Sequence, residues 1–173
     1  MRGFLEEHGV HTIDSDSVGH EVLARGGAAV AEVVATWPSV LVDGNVDRDA
    51  LGRIVFADPE ELRKLEGLTH PHIFSLIENR VRSLDGTVVV EVPLLRQPFE
   101  SPWPRMVVDA PKDLRIKRAT AKGMDRDDVA RRMKRQPSRR EWLAVADLVI
   151  PNCDDMDDLE SVVAEAISFI RGA

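Results

Sequence analysis

At 173 residues with 43% apolar side chains, the chain can bury one substantial core, and no apolar run reaches the 18 residues that a membrane-spanning helix needs. Met1–His8 carries acids where a secretory leader would be apolar, and the single cysteine, Cys153, rules out an internal disulfide, so the expectation is a cytoplasmic protein. The net charge of −7 divides into +8 over residues 112–140, which hold 12 of the 23 Lys and Arg, and −15 elsewhere; such an island on an acidic chain lacks the aromatics of a single-strand binder and suits a small phosphorylated ligand better than nucleic acid.

In chain order, Val10-His11-Thr12-Ile13 predicts a first strand running into Asp14, with a helix from about Ser17. Asp58-Pro59-Glu60-Glu61 carries a capping acid, a first-turn proline and a Glu three residues on, which predicts a helix start. Leu62, Leu65 and Leu68 form its stripe, Thr69-His70-Pro71 is expected to disturb it, and Ile73, Leu76, Ile77 and Val81 resume it. Thr87–Val92 and Met106–Ala110 predict strands ending at Pro93 and Pro111. Between Pro111 and the last strand, Leu148-Val149-Ile150, lies a basic helical excursion in which Asp125 caps a helix. Leu159, Val162, Val163, Ala166 and Ile170 predict a closing helix. Val-rich runs with little alternation suit parallel strands covered on both faces, so the fold class is α/β.

Ligands of open parallel sheets bind beyond the carboxyl ends of the strands. The first strand delivers Asp14-Ser15-Asp16 there. Two carboxylates two residues apart point the same way if the extended backbone persists, and they can take a proton from a hydroxyl or hold hydrated Mg²⁺. The alternative is that Asp16 caps the helix that follows. The second candidate is the basic segment: Lys112, Arg115 and Arg118 share a helical face, and Arg131, Arg132, Lys134 and Arg135 follow on the next helix. A dense set of guanidinium groups on a helical hairpin suits a lid over polyphosphate.

Six fragments, in this order, carry a resemblance: Val10-His11-Thr12-Ile13-Asp14-Ser15-Asp16, Arg53-Ile54-Val55-Phe56-Ala57-Asp58-Pro59, Leu68-Thr69-His70-Pro71, Val92-Pro93-Leu94-Leu95, Val107-Val108-Asp109-Ala110-Pro111, and Arg132-Met133 followed by Gln136-Pro137-Ser138-Arg139. With the closing Ala146-Asp147-Leu148-Val149-Ile150-Pro151-Asn152, they make the chain similar to the dephospho-coenzyme A kinases over essentially its whole length. The resemblance implies a P-loop NTPase-like parallel sheet with flanking helices and a helical lid. Residues 1–173 would form one domain, with a core of 1–111 and 146–173 and a lid at about 112–145. It implies transfer of the ATP γ-phosphoryl group, with Mg²⁺, to the 3′-hydroxyl of dephospho-coenzyme A. Asp16 would sit at the acceptor hydroxyl and Arg132 would be the lid arginine. Asp14, His70, Pro93, Leu94 and Leu95 would line the acceptor pocket, and Arg139 and Asn152 would neighbour the nucleotide. A non-catalytic coenzyme A- or nucleotide-binding module, or another P-loop nucleotide kinase, stands as the alternative.

In one respect the chain departs from the family pattern. The family opens with a buried strand and a Gly-rich loop ending in Gly-Lys-Ser or Gly-Lys-Thr, whose amides cradle phosphates. Residues 1–173 contain no such loop; Gly26-Gly27 and Gly44 stand apart from any lysine of that kind, and Lys122-Gly123 reverses the order. Met1–His8 look like the remainder of the helix that follows the loop, so the expectation is an N-terminally truncated form of the fold, with Met1 internal to a longer product; the alternative is a loop-less protein that has lost ATP chemistry. Weak ATP binding and low thermal stability of residues 1–173 alone follow from that expectation.

Overall fold

A computed structural model describes residues 2–93, 95, 99, 103–153 and 156–172, and of residues 156–158, 169 and 172 the backbone alone. The chain forms two compact units, His11–Val92 and Met1–Val10 with Pro93–Ala173. Helix α1 (Arg2–Glu7) belongs to the second of these.

The first unit is built around a parallel pair. Strand β1 (His11–Asp14) is followed by α2 (Ser15–Val22), α3 (Val30–Thr36), a 3-10 turn at Pro38–Val40 and a hairpin of β2 (Leu41–Val42) and β3 (Asn45–Val46). Then come α4 (Arg48–Ala57), α5 (Pro59–Ser83) and β4 (Val88–Glu91). Strand β4 returns parallel to β1, pairing His11 with Val88 and Asp14 with Glu91. The hairpin has a legible cause that the sequence reading passed over. Asp43-Gly44 joins Leu41-Val42 to Asn45-Val46, and both turn residues take positive φ (49° and 77°), which is a type I′ turn.

Helix α5 corrects an expectation. It runs 25 residues through Pro71 without a break. The proline removes one hydrogen bond, to the carbonyl of Gly67, but the turns on either side keep theirs, and α2, α3 and α4 pack along the helix. Tertiary packing therefore outweighs the local cost. Its start is as expected: Asp58 accepts from the Glu60 amide at 2.8 Å. Glu61 does not close a capping box. Its carboxylate takes the indole N–H of Trp37 at 2.6 Å and the Lys64 ammonium at 2.6 Å, anchoring α5 to the end of α3.

Val22, Ala29, Val33, Trp37, Val40, Val46, Leu51 and Val55 form the apolar core of this unit, with Leu62, Leu65, Leu68, Ile73 and Leu76 packed against it. Ile77 is fully enclosed. Truncating Ile77→Ala should cost about 2–5 kcal/mol, through lost transfer energy and the cavity left behind. Urea denaturation measures the loss, and an unchanged midpoint would show that the site refills. The Gly26-Gly27 pair serves the turn after α2. Gly26 has a φ of 77°, and a Cβ on Gly27 would stand 2.4 Å from the Val22 carbonyl oxygen.

In the second unit, β5 (Met106–Asp109) and β6 (Leu148–Pro151) pair in parallel, Asp109 opposite Pro151. Helices α6 (Lys112–Ala121), α7 (Arg126–Arg135) and α8 (Arg139–Ala144) lie between them in sequence, and α9 (Met156–Gly172) follows. The expected Asp125 cap is present, accepting from the amides of Asp127 and Asp128 at 2.9 and 3.1 Å. Helix α9 packs on β6 and on α1, and Arg171 donates to the His8 carbonyl at 2.7 Å. Ile150 and Val163 are buried, whereas Val108 and Val149 keep 47% and 41% of their surface exposed. Cover on both strand faces, expected from the Val-rich pattern, is thus only partial in this pair. Of the helices in this unit, α8 approaches β5 and α9 approaches β6.

Candidate active site

Both parallel pairs carry their polar groups at the carboxyl ends of the strands. In the first unit, β1 stops at Asp14 and the chain turns helical at Ser15. The extended geometry that would aim Asp14 and Asp16 the same way therefore does not persist. Asp14 is the helix cap: its Oδ1 accepts from the amides of Asp16 (2.9 Å) and Ser17 (3.4 Å), and its Oδ2 from the Ser17 hydroxyl (3.1 Å). The alternative that Asp16 caps this helix is overturned by the same geometry. Asp16 lies in the first turn, exposed, its carboxylate without a partner among the described residues. One acid is spent on architecture and the other is left for chemistry. The sequence allowed either order because Asp14-Ser15-Asp16-Ser17 offers two capping acids two residues apart.

His70 lies midway along α5, half-buried, with its ring 5.2 Å from that of Phe74 at 39°. Its ring nitrogens have no hydrogen-bond partner among the described residues, which leaves them available to a ligand.

In the second unit, Pro93 is exposed and the Leu95 carbonyl accepts from the Arg105 guanidinium; Leu94 lies outside the described residues. The densest polar arrangement is at the ends of β5 and β6. Arg139, the first residue of α8, reaches back to Asp109, placing Nε at 2.8 Å from Oδ1 and Nη2 at 2.6 Å from Oδ2. The Asp109 carbonyl accepts the Asn152 amide at 2.8 Å. Arg118, on α6, donates to Asn152 twice, to its carbonyl at 2.9 Å and to Oδ1 at 2.8 Å. Arg115 donates to Gln136 at 3.1 Å, linking α6 to the residue that ends α7. Two residues expected beside a nucleotide, Arg139 and Asn152, are thereby joined through Asp109. Sequence reading missed Asp109 as the organiser; an acid closing an apolar strand was the available signal.

Hydrogen bonds from Arg139 hold the Asp109 carboxyl below the usual aspartate range, and the charges of Arg139 and Arg115 add to this against the opposing effect of burial. A carboxyl with a lowered folded-state pKa contributes stability that is present above its unfolded value, about 3.9, and is lost as pH falls through the folded value. Melting temperature should therefore fall more steeply in acid for the native chain than for Asp109→Asn, with the two curves converging below about pH 4. Parallel curves would show that the pair contributes nothing.

Among the guanidinium groups of α7, Arg131 is engaged by Asp128. Arg132 is exposed and has no side-chain partner among the described residues. Among the described residues no group of three or more His, Cys, Asp and Glu is placed to hold a metal ion, and no helix is long and apolar enough to cross a membrane.

The chain is similar to known proteins over most of its length. A family model described as dephospho-CoA kinase matches residues 2–158. A dephospho-CoA kinase of Frankia casuarinae is 36% identical over 167 residues, spanning 93% of this chain and 73% of its own length. That of Thermobifida fusca is 36% identical over 168 residues, spanning 93% and 84%. Among solved structures, a Thermus thermophilus protein superposes with a TM-score of 0.78 at 31% identity, covering 96% of this chain and 87% of its own. The dephospho-CoA kinase from Campylobacter jejuni superposes at 0.69 with 25% identity, covering 97% and 88%.

Proposed function

The chain belongs to the dephospho-CoA kinase family of ATP-dependent phosphotransferases, and from this premise we propose that Asp16 and Arg132 carry the transfer of the ATP γ-phosphoryl group to the 3′-hydroxyl of dephospho-coenzyme A. The observation that supports this most is the division of labour after β1. Asp14 satisfies the helix amides, so the carboxylate of Asp16 remains unpartnered at a strand exit, where an acceptor hydroxyl can meet it. Asp16 orients that hydroxyl and takes its proton as the bond to phosphorus forms. The γ-phosphoryl group leaves ADP, and the charge spread over its oxygens is met by the guanidinium of Arg132.

Asp14 acts through the cap that sets the position of Asp16. His70 serves the acceptor, its ring nitrogens, without a hydrogen-bond partner among the described residues, offering it a hydrogen bond; for Pro93, Leu94 and Leu95 the acceptor role rests on the family resemblance of their fragment. Arg139 and Asn152 receive the nucleotide, and α6 to α8 act as the lid segment. Mg²⁺ accompanying ATP takes most of its ligands from phosphate and water and needs only one or two carboxylates. Asp16, exposed and unpartnered among the described residues, would meet that requirement as the alternative to accepting the proton. The ion supplies neutralisation of phosphate charge.

The test is turnover with ATP, Mg²⁺ and dephospho-coenzyme A, with the 3′-phosphorylated product detected by mass. Product is the expected result. Binding of dephospho-coenzyme A without turnover would overturn the kinase reading, and so would turnover of nucleoside monophosphates alone. Because residues 1–173 contain no Gly-Lys-Ser or Gly-Lys-Thr loop to cradle the donor phosphates, millimolar ATP is the appropriate concentration. Saturation at micromolar ATP would show that the Arg-rich segment suffices without that loop.

A further inference from the structure

We propose that Asp109 is a positioning residue of the nucleotide subsite, its carboxylate fixing the Arg139 guanidinium and its carbonyl fixing Asn152. The proposal rests on the assignment of Arg139 and Asn152 to the nucleotide. It extends that assignment to a residue which touches no ligand itself.

The geometry is directional. Asp109 engages Nε and Nη2 of Arg139 through three contacts of 2.6–3.1 Å, while the Asp109 side chain is only 14% exposed and that of Arg139 is 61% exposed. A carboxylate fixed at the end of β5 thus holds a guanidinium that still faces outward. Nη1 has no partner among the described residues, and with 61% of the side chain exposed the group can be reached by a base that stacks on it. Asn152 is oriented in the same way. Arg118 carries only donors, so Oδ1 of Asn152 must be the atom that faces it, and the Nδ2 amide group points elsewhere, its hydrogens without a partner among the described residues. Stacking surface and amide donors together suit a heteroaromatic base with ring-nitrogen acceptors, as adenine has. An arginine held beforehand loses less rotamer freedom on binding than a free one.

A merely structural ion pair predicts something different. A pair that only supports the fold would change melting on removal and leave ATP binding as it is in the native chain. The experiment compares Asp109→Asn, Arg139→Ala and the double variant in the 173-residue chain, with ATP titrated into the millimolar range and followed by NMR. Asp109→Asn should weaken ATP binding roughly five- to tenfold. It should raise the KM for ATP and leave kcat at saturation unchanged. The double variant should bind no worse than Arg139→Ala, since Asp109 acts through that side chain.

If Arg139→Ala loses affinity and Asp109→Asn does not, the positioning role is overturned while Arg139 keeps its assignment. If Arg139→Ala binds as the native chain does, the nucleotide assignment itself fails, and the positioning role with it. Should Asp109→Asn lower the melting temperature at neutral pH, Asp109→Glu decides. Recovery of melting and affinity together supports positioning, and recovery of melting alone overturns it.

Discussion

Replacing Asp16 by Asn should lower kcat for phosphoryl transfer by about 10²–10⁴-fold, the range of a lost general base, and leave KM for both substrates nearly unchanged. Asparagine keeps the shape and can still accept a hydrogen bond from the acceptor hydroxyl, but it cannot take the proton. Phosphoryl transfer passes through a loose transition state with little proton movement, so the lower half of that range is the closer expectation. Folding should be almost untouched, because the Asp16 carboxylate has no partner among the described residues; the first-turn charge is worth about 0.3–1 kcal/mol to α2. Asp14 provides the contrast. Asp14→Ala removes the cap and should cost about 1 kcal/mol of stability, whereas Asp14→Asn, another good cap, should cost less. Steady-state kinetics and thermal melting on the three variants separate chemistry from architecture. Native kcat in Asp16→Asn would end the assignment of that residue as the base.

Arg132→Ala should reduce kcat by about 10³-fold or more, the lower bound for a positioned arginine in phosphoryl transfer. Arg132→Lys should recover little of it, since an ammonium cannot bridge two phosphate oxygens in one plane. The neighbouring positions sharpen the expectation. Arg131 is already held by Asp128 one turn earlier on α7, so Arg131→Ala should change kcat by much less. Helix α7 carries its own cap at Asp125 and buries Val129, and Arg132 contributes to neither. A melting temperature equal to that of the native chain is therefore expected for Arg132→Ala. Equal losses of kcat at Arg131 and Arg132 would mean that the segment acts as diffuse positive charge rather than through one placed group.

The two predictions draw on different kinds of information. Arg132 was singled out by the family resemblance of its segment, four residues before Gln136, and the structure added that its neighbour is paired while it is not among the described residues. Asp16 was an open choice in the sequence, because a cap and a base have the same side chain. What separated the roles was the point at which β1 ends, at Asp14, two residues short of the continued strand that would aim both carboxylates alike.

Local chemistry determined most of the elements. Valine-rich runs closed by acids and prolines specified four strands in their observed places, and Asp58 and Asp125 specified two helix starts, because strand propensity and capping act over a few residues. The family fragments, read in order, specified the kinase. Only tertiary structure decided the unbroken course of α5 through Pro71, where packing against α2, α3 and α4 outweighs one lost hydrogen bond. It alone also decided the partners of the charges. Asp109 and Arg139 are thirty residues apart, as the sequence numbers show, and Arg118 and Asn152 thirty-four. No local rule reaches that far; such pairs exist only once parallel strands bring their carboxyl ends side by side.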